Sequence, residues 1–241
     1  MDASLAGETR RACCLRPVEA RAYRWEMRVW PLYDLRIRTP RLELRLPDLD
    51  LLDELIAVSL RGVHPPDTMP FGVPWTDRPS PQMEREALQH HLLQVAQWKP
   101  EKWTYNPVVI HQGTVIGTQD MRGENFRAGR SFSSGSWLGL EFQGRGFGKE
   151  MRAAILHLGF AGLGAKEAQS SAFKDNPASL GVSRALGYQA NGRWRAARRG
   201  GSGTMIGLRL TSERWRRHQF CEVAVEGLDP CLEFFGAAPA D

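Results

Sequence analysis

Between residues 37 and 46, Leu42, Leu44 and Leu46 alternate with Arg41, Glu43 and Arg45, the period-two pattern of a strand with one buried face. The period then changes. Leu51, Leu52, Leu55, Ile56 and Leu60 recur at helical spacing, and Asp48 or Asp50 can cap the helix they predict. A proline-rich loop fills 62–81, and a second helix is predicted over 82–99, with Leu88, Leu92, Val95 and Ala96 on its apolar face. The run 107–121 holds Val108, Val109 and Ile110, a His-Gln-Gly turn, then Val115 and Ile116, which predicts a hairpin. A strand over 132–140, a helix over 146–160, a strand over 168–173, a helix over 177–186 and a hairpin of 188–197 with 204–210 complete the chain. Strands and helices are mixed, with no internal repeat. Residues 1–26 show no periodicity, so they are expected to be a disordered or mis-started extension, with Met27 a possible true start. The folded domain is then 27–217, and 218–241 an acidic tail whose Val223, Val225, Leu232, Phe234 and Phe235 could add a strand or reach a partner subunit.

Composition sharpens this picture in three places. At 241 residues and 42% apolar content the chain can bury a real core. Its longest apolar stretch, 151–165, is broken by Arg152 and His157 and is shorter than the roughly 20 residues of a membrane span. A soluble protein without a membrane partner is expected. The net charge of +5 is uneven: 193–217 carries eight arginines against Glu213, whereas 218–241 has acids and no Lys or Arg. That excess is too local to mark a nucleic-acid binder. Cys13-Cys14, Cys221 and Cys231 lack the spacing of a zinc site or disulfide framework, so no metal is expected and a reducing cytoplasm fits. His90 and His91 are adjacent, hence roughly 100° apart on a helix, and are expected to be solvated.

Chemistry concentrates where the 132–140 strand meets the next helix, in Leu138-Gly139-Leu140-Glu141-Phe142-Gln143-Gly144-Arg145-Gly146-Phe147-Gly148-Lys149-Glu150. A Walker loop would need Gly at 143 and Ser or Thr at 150, and a dinucleotide fingerprint would need Gly at 149; Gln143, Glu150 and Lys149 exclude both. Glycines at 144, 146 and 148 still free backbone N–H groups at a helix N-terminus to face an anion. A plain strand-to-helix connection would use the same residues. A second segment, Asp175-Asn176-Pro177-Ala178-Ser179, runs on to Leu186-Gly187-Tyr188 with a cap, a proline in the first turn and a glycine past the last. On this helix Asn176, Ser179 and Ser183 form one polar stripe, while Ala178, Val182 and Leu186 are expected to face the core.

Together these segments resemble the GNAT superfamily of acyl-CoA-dependent N-acyltransferases. Gln143, Gly146 and Gly148 match its Gln/Arg-x-x-Gly-x-Gly/Ala signature, and Asn-Pro-Ala-Ser with Leu-Gly-Tyr is similar to its second CoA-contacting helix. From about 35 to 215 the chain resembles the RimJ/RimL-like branch. Its Trp-Pro-Leu-Tyr-Asp-Leu-Arg and Met-Pro-Phe-Gly-Val-Pro-Trp runs are similar to an actinobacterial, hence bacterial, subgroup that includes succinyl-CoA users. The resemblance implies an α+β (α/β three-layer) fold whose mixed, mostly antiparallel sheet splays between the strand ending at Leu140 and that at 168–173 to admit CoA. It also implies transfer of an acetyl or succinyl group from acetyl-CoA or succinyl-CoA to a small-molecule or peptide amine. CoA pyrophosphate would rest on the amides of Gln143, Gly144, Arg145, Gly146, Phe147, Gly148 and Lys149. The pantetheine arm would run beside Leu138 and Leu140 to Asn176 and Ser179.

Direct attack of an amine on a thioester requires removal of a proton, an oxyanion donor, and protonation or tolerance of the thiolate. The backbone N–H of Leu138, freed by a bulge in its strand, is the expected oxyanion donor. Relatives commonly place Tyr seven residues after the Asn; here Ser183 stands there, and Ser183 and Ser179 are the candidate acids. Either could instead bond the preceding helical turn. The strand before the glycine turn carries Ser133-Ser134-Gly135-Ser136 in place of a glutamate, leaving Asp120 or Glu124 as base, or an amine that arrives deprotonated. His111 is expected to be exposed and His157 structural. In the last hairpin Arg193 and Arg195 are candidates for a succinyl carboxylate or acidic acceptor, whereas Arg198 and Arg199 read as a solvated tip. The missing carboxylate also keeps open a non-catalytic acyl-CoA-binding sensor of the same fold. Homo-oligomers are compatible with all of this.

Overall fold

The computed structural model describes residues 29–237; the expectations for 1–26 and the start at Met27 lie outside the described residues. A short 3₁₀ turn, Pro31–Tyr33, leads to β1 (Arg36–Arg38), β2 (Glu43–Arg45) and α1 (Leu49–Leu60). The single strand expected over 37–46 is thus two, folded back on each other so that Ile37 pairs with Leu44. Pro40 stands in the turn, where it cannot donate to a ladder. The alternation survives the break: Leu42, Leu44 and Leu46 are all buried. Asp48 caps α1 by accepting from Leu51 N at 2.9 Å. Helix α2 (Gln82–Ala96) follows, and β3 (Lys102–Tyr105), a strand the sequence pattern did not show, pairs with the far half of β5. Of the face expected on α2, Leu88 and Val95 are half-buried, whereas Leu92 and Ala96 are exposed; the helix buries Met83. It lies at the surface, so its apolar stripe meets less protein than the pattern suggests.

β4 (Val108–His111) and β5 (Thr114–Glu124) form the expected hairpin, turned by Gln112 and Gly113, both at positive φ. A four-residue helix, α3 (Phe126–Gly129), precedes β6 (Ser131–Leu138). Helix α4 (Phe147–His157) continues into a π turn, Leu158–Gly162, before β7 (Glu167–Phe173) and α5 (Pro177–Ala185). The hairpin β8 (Gln189–Arg198) with β9 (Gly201–Thr211), helix α6 (Ser212–Arg216) and β10 (Ala224–Glu226) complete the described elements.

Among the described residues, ten strands form one sheet in the order β10-β1-β2-β4-β5-β6-β7-β9-β8, with β3 beside β5. Only β6 and β7 are parallel. Alternate residues of β4 and β5 serve opposite faces. Val108 and Val115 pack on Leu51, Leu55 and Val58 of α1, while Val109 and Ile116 join the larger core with Met151, Ala154 and Ile155 of α4. This is the mixed, mostly antiparallel sheet with flanking helices that the resemblance implied. Strand β10 runs antiparallel to β1, and Phe235 is fully buried against Trp98, Trp103 and Tyr105.

Candidate active site

The site starts from a failure of pairing. β6 and β7 are in register at Ser131 with Glu167, Phe132 with Ala168 and Ser133 with Gln169, and no further. β6 then runs five residues more and β7 four, so the two strands part into a wedge. In an antiparallel ladder successive N–H groups point alternately toward and away from the partner. Gly139 N donates to Ile116 O of β5 at 3.0 Å, so the N–H of Leu138 points the other way, into the wedge. The bulge expected to free this amide is absent: β5 and β6 stay in register from Gly117 with Leu138 to Arg122 with Ser133. Departure of β7 frees it instead.

At the mouth of the wedge lies the glycine turn. Gly144 and Gly146 adopt left-handed φ of 75° and 84°, which a side chain would resist. Among the described residues, the amides of Gly144, Arg145, Gly146, Phe147 and Gly148 find no acceptor, and they gather at the N-terminus of α4. Five unsatisfied donors with a helix dipole behind them form an anion cradle. A Cβ on Gly144 would meet nothing within 4 Å, so the cradle is open. Gln143 braces it, donating through Nε2 to Leu138 O and Val63 O, both at 2.9 Å. Leu140 has both backbone groups engaged, its N–H on Gly62 O and its carbonyl accepting from Gln143 N, which leaves only its side chain for a ligand. Lys149 extends its ammonium over Phe220.

Arg41 is a member that sequence reasoning missed. Its guanidinium lies 4.6 Å from the Phe147 ring centroid, donates to Arg145 O at 3.1 Å, and would be 3.4 Å from a Cβ on Gly146. It therefore places a cation beside the cradle. Buried Glu150, in the first turn of α4, holds it there through Nε and Nη2. Arg41 lies over a hundred residues from the turn, and no local spacing links them.

On the second segment Asn176 caps α5, its Oδ1 accepting from Ser179 N at 3.1 Å, which leaves its Nδ2 to donate elsewhere. The polar stripe and the apolar face expected on α5 are not opposed. Ser183 is fully buried on the same side as Leu186, while Ala178 is exposed. Ser183 Oγ donates to Ser179 O, the back-bond to the preceding turn; Ser179 is half-buried and its hydroxyl is uncommitted among the described residues. Asp120, on β5, has both oxygens engaged, Oδ1 by Gly135 N at 2.7 Å and Oδ2 by Arg122. Glu124 is exposed on the stretch of β5 paired with Lys102 of β3. His111 is half-buried, not exposed, its Nδ1 on Arg41 O and its ring 4.5 Å from that of Phe147. His157 packs on Trp215, and burial lowers its pKa.

The arginines of the last hairpin reverse the expected order. Arg193 and Arg195 are exposed on an edge strand, and Arg195 bonds Ser202 across its own hairpin. Arg198 grips both oxygens of Asp175, and Arg199 pairs with Asp77 and donates to Pro66 O of the 62–81 loop. That loop carries a chain of rings, His64, Phe71 and Trp75, ending on Trp137 of β6.

Residues 41–189, well over half of the chain, match the acetyltransferase (GNAT) domain. The chain belongs to this acetyltransferase family. It is accordingly an acyl-CoA-dependent N-acyltransferase, and the cradle and wedge fall within the matched segment. Solved structures agree on the fold. RimJ of Mycobacterium smegmatis with CoA-disulfide superposes with a TM-score of 0.62 at 16% identity, covering 76% of this chain and 90% of that one. An acetyltransferase from Salmonella typhimurium that modifies the N-terminal serine of ribosomal protein L7/L12 gives a TM-score of 0.58 at 17% identity, over 72% and 96% of the two chains. RimL, the L7/L12 α-N-protein acetyltransferase in complex with coenzyme A, gives 0.56 at 16%, over 72% and 95%. No helix of the described residues is long and apolar enough to cross a membrane.

Proposed function

We propose that this acetyltransferase moves an acyl group, acetyl in the simplest case, from its CoA thioester to a primary amine by direct attack, with both substrates bound at once. The observation that carries the reading is the inward-pointing N–H of Leu138, set in a wedge whose mouth holds five acceptor-free amides. The cradle, Arg41 and Lys149 would take the pyrophosphate, and the half-buried Asn176 would take the pantetheine through Nδ2. An N–H aimed where charge develops on the thioester oxygen stabilises that charge without reorganising.

Ser179 suits the role of proton donor to the leaving thiolate better than Ser183, whose hydrogen is committed to a carbonyl within a buried turn. Asp120 is a poor base because both its oxygens already accept charge-assisted or backbone bonds. The amine then enters unprotonated, and activity should rise with pH toward the amine's own pKa. The acceptor would approach over Trp137, between the 62–81 loop and the β8–β9 hairpin, which Arg199 and Asp77 join. The fold shared with RimJ and RimL makes a peptide N-terminus the first acceptor to try. A cytoplasmic location would suit such an acceptor.

The test is release of free CoA, followed with a thiol reagent, from acetyl-CoA against a panel of N-terminal peptides and small amines. Amine-dependent release is expected. CoA binding without release for any amine would leave a binding protein, not a transferase.

A further inference from the structure

Beneath the wedge lies a cation that has no anion. Arg152, in the second turn of α4, is 3% exposed and forms no ion pair among the described residues. Its partners are neutral: Nε donates to Gln119 Oε1 at 3.2 Å, Nη1 to Ser170 Oγ at 3.3 Å and Nη2 to Ser136 Oγ at 3.1 Å. The acid two residues before it, Glu150, is spent on Arg41. Removing a guanidinium from water is costly, and neutral hydroxyls repay it poorly. Proteins seldom bury an arginine this way, since a carboxylate partner offers two parallel bonds to its fork.

The surroundings point the same way. Ser134 Oγ and Tyr188 Oη are buried beside Arg152, close enough to interact with each other and with its guanidinium, but neither makes a hydrogen bond of good geometry among the described residues. Burial raises the Tyr188 pKa, which keeps the hydroxyl protonated and able to donate. Buried hydroxyls held this loosely are rare and leave bonding capacity for an occupant. Gln119 Oε1 accepts from the guanidinium and Ser170 Oγ donates to Ser134 O at 3.2 Å, so the donor capacity left over lies in the guanidinium and in the hydroxyls of Ser134, Ser136 and Tyr188.

Its position names the occupant. Ser136 belongs to β6 and Ser170 to β7, so the guanidinium bridges the two strands just past Ser133 and Gln169, where their ladder ends. That is the closed end of the wedge, opposite the glycine cradle. Ser136 lies two residues before Leu138, about 7 Å along the strand. If the thioester oxygen sits on Leu138 N–H, an acyl chain continuing inward from it runs toward Arg152.

We propose that Arg152, with the hydroxyls of Ser134, Ser136 and Tyr188, is an anion subsite that receives the terminal carboxylate of a dicarboxylic acyl-CoA such as a four-carbon diacid thioester. The inference rests on the wedge holding the thioester. It moves the carboxylate-recognition role from Arg193 and Arg195, which are exposed on an edge strand, to a side chain that no local motif singles out. An acetyl group would leave the subsite unfilled.

The wild-type chain supplies the first test. Succinyl-CoA and butyryl-CoA have acyl chains of equal length and differ in carboxylate against methyl. Calorimetry should show succinyl-CoA binding at least tenfold more tightly than butyryl-CoA. Arg152→Met should remove that preference while acetyl-CoA binds within threefold of wild type. Should Arg152→Met not fold, Tyr188→Phe and Ser134→Ala, each lacking one hydroxyl, should lower the preference several-fold. Equal or weaker binding of succinyl-CoA by the wild type overturns the proposal. So does a site that takes free anions only, seen as a rise in melting temperature with succinate or formate and no gain for succinyl-CoA over butyryl-CoA. Failure of CoA itself to bind would instead sink the assignment of the wedge, and this proposal with it.

Discussion

Glu150 Oε2 lies 2.6 Å from Arg41 Nε, and the contact joins the β1–β2 turn to the first turn of α4. The same carboxylate also accepts from Thr39 Oγ1 and Arg41 N, so one buried acid gathers four donors from a turn distant in sequence. Arg41→Met would strand a charge that is almost wholly buried. Breaking a fully buried pair costs about 3–5 kcal/mol. The Arg41 side chain is 42% exposed, so solvent screens the pair and a loss of about 1–3 kcal/mol is expected. Urea denaturation followed by circular dichroism measures it, and an unchanged midpoint would show the pair to be idle.

Gly146 separates two effects of a side chain at the cradle. Gly144→Ala and Gly146→Ala both force an L-residue into left-handed φ, at about 1–2 kcal/mol each. Only at 146 would the new Cβ lie against the cation, in van der Waals contact with Arg41 Nη2 at 3.4 Å, and so cover the face of the cradle that the guanidinium borders. CoA affinity measured by calorimetry should therefore fall roughly tenfold further in Gly146→Ala than in Gly144→Ala, about 1.4 kcal/mol. Gly146→Trp should abolish binding in a folded protein. Unchanged affinity in both variants would mean that ligand does not approach the backbone here.

Gln143 ties the cradle to the end of β6 and to the 62–81 loop through two carbonyls. Gln143→Leu leaves both acceptors short of a donor, at about 0.5–1 kcal/mol where solvent can replace it. The KM for acetyl-CoA should rise while the melting temperature shifts little, since the side chain lies at the surface. A fall in melting temperature with KM intact would reverse that assignment.

Arg199 and Asp77 hold the 62–81 loop to the β8–β9 hairpin. Arg199→Ala should leave the fold and CoA binding unchanged and raise the KM for the amine. Steady-state kinetics with the acceptor varied decides it; an effect confined to acetyl-CoA would place the loop on the cofactor side.

His91 sets an acid limb. Burial, with a smaller contribution from His90, lowers its pKa from 6.5 to about 4. The folded chain thus prefers the neutral ring, whose Nδ1 lies 3.3 Å from Asn106 Nδ2. Above pH 6.5 neither state holds the proton and nothing is lost. As pH falls from there toward 4, only the unfolded chain takes it up, and stability should drop by up to about 3 kcal/mol. Urea midpoints across pH 4–7 should show this slope, and His91→Gln should flatten it.

Local chemistry fixed much of this protein in its sequence. Period-two and helical runs placed ten of the strands and helices, from α1 to the β8–β9 hairpin, close to where they lie, because burying one face imposes its period on the residues. The glycine turn and the Asn176 cap were equally legible, since left-handed backbone and a capped helix start each demand particular residues at particular positions. What remained hidden depends on neighbours far along the chain. Strand β3 forms because β5 is long enough to pair twice, and the turn at Pro40 splits a pattern that alternation alone carries straight through. On α5 the direction of burial was set by α4 and the sheet, so Ser183 went inside and Ala178 outside. The Leu138 amide is free because β7 diverges, which no residue near Leu138 encodes. Arg41 at the cradle, Arg152 under the wedge and the clasp of Arg199 on Asp77 are pairings across the fold, and charge is long-ranged and indifferent to sequence separation.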